Sequence, residues 1–172
     1  LNAALCKIDA KYVIDRDEHL STYDGLNTTK KLKMLSSNKG LPVDVYDRVW
    51  ADKQQATFGL IAKFGTNHTA VYICSQLKKH GWKIAVASNS IRETVRIALH
   101  AIGVLPLVDY FVSNEDVQRP KPYPEMYWKC MTALGALPKN TLIVEDSHIG
   151  RQGALDSGAV LYPVEDAYSL NG

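Results

Sequence analysis

The sequence has few of the features that mark specialised classes of protein. No apolar run approaches the length of a membrane-spanning helix. The first residues also lack the basic and then apolar order of a signal peptide. The formal net charge is only +2, so the composition implies no strong field for nucleic acid or anionic membranes. We therefore expect neither a nucleic-acid partner nor a membrane partner.

Cysteine is scarce, and its spacing excludes the common cysteine-based sites. The three cysteines, Cys6, Cys74 and Cys130, are odd in number and far apart, and no Cys-x-x-Cys pair occurs. This pattern predicts free buried thiols rather than a disulfide or a metal site. Free thiols are typical of a reducing compartment, so we expect a cytoplasmic protein.

Residues 1–66 are predicted to form a small helical domain. Leu26, Leu32 and Leu35 recur near helical spacing before Gly40, a favourable helix end. A second amphipathic pattern runs to Gly65, so at least two helices should pack on each other. The opening "LNAALCKID" has a helical pattern but no strong residue to begin a helix. We therefore expect the sequence to start inside a helix, with further residues upstream.

Residues 67–172 alternate between helical and strand patterns. The apolar runs "WKIAVAS", "YFVSN", "TLIVED" and "AVLYPV" predict short buried strands separated by amphipathic helices. Ser90 and Glu93 are spaced as a capping box at the start of one helix. The alternation predicts an α/β domain with a parallel sheet.

Polar residues of complementary charge follow three successive strands. Ser88 and Asn89 follow the first strand and precede a helix, whose N–H groups favour anions. Lys121 follows the second strand between two prolines, and Glu145 and Asp146 follow the third. Ligands of open parallel sheets bind beyond the carboxyl ends of the strands. Paired carboxylates suit Mg²⁺ when phosphate oxygens and waters complete its ligands, so the set predicts a phosphoryl-transfer site.

Each member of this set also has a purely structural explanation. Ser88 and Asn89 could cap the following helix, and Lys121 could be a solvated loop residue. Glu145 and Asp146 could cap the helix that begins near residue 147. The combination favours a site, because helix capping alone does not require complementary charges at three strand ends.

Three segments resemble motifs of a known superfamily. "VASNS", "RPKPYPEMY" and "LIVEDSHIGRQGA" resemble motifs II, III and IV of the haloacid dehalogenase superfamily. The amino-acid sequences of these motifs are most similar to those of its β-phosphoglucomutase-like phosphatases. The resemblance covers about residues 70–164. It implies a Rossmann-like parallel-sheet core in residues 67–172 and a small helical cap in residues 1–66.

The resemblance also implies roles for individual residues. Ser88 matches the hydroxyl that binds the phosphoryl group, and Asn89 lies beside it. Lys121 matches the lysine that neutralises the nucleophile and the aspartyl phosphate. Asp146 matches the Mg²⁺ ligand, and Glu145 matches its acidic neighbour, which helps to hold the metal or its waters.

The stretch "YDGLNTTKKLKML" resembles, more loosely, the part of the cap that faces the substrate. Tyr23, Thr28, Lys30 and Lys31 are therefore candidates for substrate contacts, with Thr28 as a candidate phosphate ligand. For the two lysines we favour the simpler explanation, a solvated helix start.

One motif of the superfamily is missing. Its motif I is Asp-x-Asp after an apolar strand, where the first Asp is the nucleophile and the second is the general acid/base. Asp15 and Asp17 have this spacing but lie in a polar segment of the helical part. We expect motif I and its strand upstream of Leu1. Without that strand, "KIAVA" and "TLIVE" would expose unpaired edges inside the core.

The resemblance implies a Mg²⁺-dependent phosphatase of small phosphorylated metabolites that works through an aspartyl phosphate. Three alternatives remain open at this stage. The first is a sugar-phosphate mutase of the β-phosphoglucomutase type, the second is a catalytically dead binding module, and the third is a chain completed by a partner that supplies the strand. Dehalogenation is disfavoured, because the "EDS" form suits metal-dependent phosphoryl transfer.

Overall fold

The computed structural model describes residues 1–165, and the chain divides into two compact units, Leu1–Phe64 and Gly65–Gly172. Residues 166–172, in the tail for which the sequence predicts no clear element, lie outside the described residues. No helix within residues 1–165 has the length and apolar character needed to cross a membrane.

The first unit is helical. An apolar cluster that includes Leu5, Tyr23, Leu35 and Val49 forms its core, and each of these four side chains is fully buried. Its helices are α1 (Asn2–Cys6), α2 (Arg16–Glu18), α3 (Thr28–Lys39) and α4 (Tyr46–Ile61), with short helical turns at Ala10–Tyr12, His19–Tyr23 and Val43–Val45.

Local signals explain where α3 begins and ends. The side chain of Asn27 accepts a hydrogen bond from the N–H of Lys30 and caps the helix start. Gly40 ends α3 at φ 69°, a left-handed conformation that glycine adopts without steric cost. Asp15 accepts from the N–H of Glu18 and caps α2. It therefore lies at a helix start and not at the end of a strand, where motif I would lie. Cys6 is exposed and Cys74 is only half-buried, so the expectation that all three thiols are buried is correct for Cys130 alone.

The second unit alternates helices and strands, which confirms the predicted α/β class. Both strand pairs within residues 65–165 are parallel. The elements are α5 (His68–Lys79), β1 (Ala85–Ala87), α6 (Arg92–Ala101), β2 (Tyr110–Val112), α7 (Glu125–Leu134), β3 (Leu142–Glu145), α8 (His148–Asp156) and β4 (Val160–Pro163), with short turns at Leu105–Leu107, Asn114–Asp116 and Pro138–Asn140.

The strands of residues 65–165 form two separate pairs rather than one sheet. β1 pairs with β2, and β3 pairs with β4. Ser88 donates its N–H to Val112, and the carbonyl of Ile84 accepts from Asp109, so these alternate residues of the β1 segment bond towards β2. On β3, Thr141 and Glu145 accept from the β4 segment in the same alternating way. Each pair therefore keeps one edge of β1 or β3 without a strand partner in the described part of the chain.

Helix α7 packs against strands of both pairs. Tyr127 and Met131 of α7 pack with Ile143 of β3 and Ala154 of α8. Ala87 of β1 also packs on this cluster. Among the strands of the first pair, β1 therefore lies towards β3, and β2 lies on the far side.

The start of α6 differs from the predicted capping box. The helix begins at Arg92 after Ile91, and no side chain caps it. Glu93 pairs with Arg96 one turn later instead of reaching back to Ser90. The N–H of Arg92 donates to the carboxylate of Glu115 over 2.6 Å. The carboxylate of Glu115 thus occupies one of the N–H groups at the helix start, where the sequence predicted that an anion would bind.

Candidate active site

A buried ion pair joins the loop after β2 to the end of β3. Lys121 Nζ lies 2.7 Å from Glu145 Oε2, and each side chain is only 9% exposed. Lys121 follows β2 by several residues, whereas Glu145 is the last residue of β3. The pair therefore connects two carboxyl ends of the strands, where the sequence predicted that these residues would meet.

Glu145 has donors on both carboxylate oxygens. Besides Lys121, the hydroxyl of Tyr127 lies 2.9 Å from Oε2, and the hydroxyl of Ser147 lies 2.8 Å from Oε1. Burial opposes ionisation of Glu145, but the charge of Lys121 and these hydrogen bonds outweigh it and hold the pKa of Glu145 below its usual value. Glu145 is therefore an ionised, fully partnered carboxylate, and its main contact is Lys121 rather than solvent.

Helix α8 makes room for this carboxylate because Gly150 has no side chain. A Cβ atom on Gly150 would lie 2.1 Å from the carboxyl carbon of Glu145, a distance that no real Cβ adopts. Ser147 caps α8 and donates to Glu145, so one residue begins the helix and fixes the carboxylate. The "EDSHIG" segment thus supplies the space for the Glu145 carboxylate and a hydrogen bond to it, as well as the two negative charges.

Asn89 holds the backbone of Lys121 with both ends of its amide. Its Oδ1 accepts from the N–H of Lys121 at 3.1 Å, and its Nδ2 donates to the carbonyl of Lys121 at 3.2 Å. This clamp brings the end of β1 against the lysine loop and places Ser88 next to it. The hydroxyl of Ser88 accepts from the N–H of Ser90 at 3.2 Å, which leaves its proton available to an anion.

Asp146 differs sharply from its neighbour. It is exposed, and its carboxylate accepts no hydrogen bond from the residues described here. Residues 1–165 contain no group of three His, Cys, Asp or Glu side chains arranged to hold a metal. A single available carboxylate beside a partnered one fits Mg²⁺, which is often held by one or two carboxylates with phosphate and water. Asp146 is the residue that could hold it.

The other predicted contacts lie in the first unit. Thr28 is the first residue of α3, and Lys30 and Lys31 follow in the first turn. Tyr23 is fully buried in the helical core, and its hydroxyl has no hydrogen-bond partner among the described residues. Burial lowers the pKa of Lys31 from its ordinary value. Substrate contact by these residues stays a prediction.

The sequence analysis missed three residues that shape the site: Tyr127, Ser147 and Gly150. Ser147 and Gly150 have the spacing of a helix-capping residue and the N–H that donates to it, so that signal was present. Tyr127 gave no signal, since a tyrosine within an apolar helical pattern predicts only core packing.

We predict that Gly150→Ala destabilises the second unit by about 3 kcal/mol, because the added methyl group would push Glu145 away from Lys121 and break a buried pair. Gly59→Ala is the matched control, since Gly59 also lies within a helix and a Cβ there meets nothing within 4 Å. The control should be neutral or slightly stabilising. Urea unfolding measures both changes, and equal stability of the two variants would contradict the packing described here.

The comparisons with known sequences agree with the three motifs. The model of the haloacid dehalogenase-like hydrolase family matches residues 10–162. Pyrophosphatase PpaX of Bacillus mycoides is 28% identical over 124 residues, which are 67% of this chain and 58% of that protein. Pyrophosphatase PpaX of Bacillus velezensis is 23% identical over 154 residues, 87% of this chain and 65% of that protein. The chain thus spans about three fifths of the length of these relatives.

Solved structures show the same fold. A CbbY variant from Rhodobacter sphaeroides in complex with xylulose-1,5-bisphosphate matches with a TM-score of 0.84 at 17% identity, over 99% of this chain and 79% of that chain. β-Phosphoglucomutase from Clostridium difficile matches with a TM-score of 0.81 at 16% identity, over 99% of this chain and 77% of that chain. The family model over residues 10–162 confirms the resemblance inferred from the three motifs: the chain belongs to the haloacid dehalogenase-like hydrolase family.

Proposed function

We propose that this chain carries most of the active site of a Mg²⁺-dependent phosphatase for small phosphorylated metabolites. The observation that carries the proposal is the buried Lys121–Glu145 pair. Ser88 precedes Asn89, which binds the backbone of Lys121, and the exposed Asp146 follows Glu145. An ammonium held at a fixed position, a hydroxyl donor and an available carboxylate match the needs of phosphoryl transfer, which depends on positioning and charge stabilisation.

The residues of this chain would divide the work as follows. Lys121 would offset negative charge that develops on the transferred phosphoryl group, and Ser88 would donate a hydrogen bond to one of its oxygens. Glu145 would keep Lys121 aimed at the group, and Asn89 would hold the loop that carries it. Asp146 would hold Mg²⁺, which supplies further neutralising charge when bound.

The relatives named as pyrophosphatases support hydrolysis over mutase chemistry. The structural likeness to a β-phosphoglucomutase supports only the shared fold. An activity assay that distinguishes the two reactions should therefore use a panel of inorganic pyrophosphate, small phosphomonoesters and sugar phosphates. Free phosphate in the products indicates a phosphatase, and a phosphate moved to another carbon indicates a mutase. The three free cysteines within the described chain fit a reducing compartment such as the cytoplasm.

We predict that Asp146→Asn in the full polypeptide lowers turnover by about 100-fold or more while leaving stability nearly unchanged, because Asp146 is exposed and makes no contact that holds the fold. Asp156→Asn, at the exposed far end of α8, is the matched control and should retain activity. Steady-state assays with and without Mg²⁺ measure the effect. Mg²⁺-independent turnover, or no turnover of any substrate in the panel, would reject the proposed function.

We also propose that a further strand lies between β1 and β3. Asn89 binds Lys121, and Lys121 binds Glu145, so β1 and β3 have their carboxyl ends on the same side. Their unpaired edges border the cluster around Tyr127 and Ile143. A strand parallel to both would complete one five-stranded sheet and satisfy the open backbone groups. It would also end beside Lys121, where the reaction needs a carboxylate nucleophile.

Hydrogen exchange of the full polypeptide tests this strand at single residues. The alternation along each strand directs the N–H groups of Ala85, Ala87 and Val144 towards the open edges. Those of Val86 and Ile143 face β2 and β4 and serve as internal controls. If the strand is present, both sets should be protected to a similar degree. Exchange that is faster by orders of magnitude only at Ala85, Ala87 and Val144 would show that the edges are open.

A further inference from the structure

Tyr127 contacts both members of the buried ion pair with different parts of its side chain. Its hydroxyl lies 2.9 Å from Glu145 Oε2, the same oxygen that receives Lys121 Nζ at 2.7 Å. Its ring lies beneath the ammonium, with Lys121 Nζ 5.2 Å from the ring centroid. This distance lies within the range of a cation–π contact. The side chain is only 5% exposed, so its position is fixed by packing.

The surroundings of Tyr127 leave the tyrosine little freedom. Its hydroxyl is also 3.0 Å from the carbonyl oxygen of Gly150 on α8. A Cβ on Gly153, one turn later, would lie 3.2 Å from Cε2 of the Tyr127 ring and 2.9 Å from the carbonyl oxygen of Pro122. The two glycines of α8 therefore allow the helix to approach the ring and the lysine loop closely. The single hydroxyl proton is shared between two acceptors, Glu145 Oε2 and the carbonyl oxygen of Gly150. Packing on one side and this shared hydrogen bond at the tip hold the ring in one place.

We infer that Tyr127 is the positioning residue of the Lys121–Glu145 pair: its hydroxyl fixes the carboxylate, and its ring seats the ammonium. The apolar core explains why a ring is buried at this position, but it gives no reason for a hydroxyl there. A phenylalanine would fill the same volume and leave Glu145 Oε2 with Lys121 as its only donor. The effect of the hydroxyl on turnover rests on the proposed function, whereas its effect on the geometry of the pair does not.

Competitive acylation of the full polypeptide by acetic anhydride tests the geometric part. Lys121 is 7% exposed and ion-paired, so it should react slowly relative to the lysine at position 139, which is exposed and serves as the internal reference. In Tyr127→Phe the ratio of Lys121 to Lys139 acylation should rise about tenfold, since a hydrogen bond to a charged group is lost. Tyr127→Leu, which also removes the ring, should raise it further.

Turnover provides the second readout. Tyr127→Phe should lower kcat about tenfold and change KM less than about twofold, because Lys121 acts on the reacting group more than on the bound substrate. Tyr162→Phe is the matched control, since Tyr162 is 54% exposed on β4. That variant should match the parent protein in both readouts. A general loss of stability would also raise the acylation of Lys78, which is half-buried in the same unit, rather than that of Lys121 alone.

The outcomes separate this inference from the proposed function. If the parent protein turns over no substrate, the proposed function fails, and the acylation ratio alone still decides the role of Tyr127. An unchanged ratio in Tyr127→Phe overturns the inference. An unchanged kcat in a protein that does turn over substrate overturns it as well.

Discussion

The Lys121–Glu145 ion pair is the contact on which the candidate site depends. Two charges out of water are costly unless each finds its partner and enough hydrogen bonds. Here Tyr127 and Ser147 satisfy the carboxylate, and the amide of Asn89 holds the lysine loop. The pair therefore fixes the ends of three strand segments relative to one another. Burial of the pair offers weak support for stability but a strong constraint on geometry, which is what phosphoryl transfer requires.

The separation of the strands into two pairs determines which groups of the site the described residues can supply. The described residues supply a cation, a hydroxyl donor and a carboxylate available to a metal, all at the carboxyl ends of strands. A covalent route through an acyl phosphate needs a nucleophile in addition. The open edges of β1 and β3 lie beside Lys121, so a strand placed there would satisfy the backbone and bring a nucleophile to the lysine. One further strand would thus both pair the open edges and supply the nucleophile.

Much of this arrangement could be predicted from the sequence because short-range signals were strong. The alternating apolar runs gave the strands and the parallel class, and Gly40 gave the end of α3. Contacts distant in sequence were harder to foresee. Glu115 displaces the predicted capping box by taking the N–H of Arg92, and Tyr127 reaches Glu145 across 18 residues of sequence. Such pairings depend on how distant elements pack, α6 on the turn after β2 and α7 on β3, which local patterns do not specify.

The most direct test of the account is acid-quench trapping of the full polypeptide during turnover of a ³²P-labelled substrate, followed by mass spectrometry of the labelled peptide. We expect phosphate bound to an aspartate as an acyl phosphate, formed only when Mg²⁺ is present. Turnover without any covalent phosphate, or phosphate on another type of residue, would contradict the proposed mechanism.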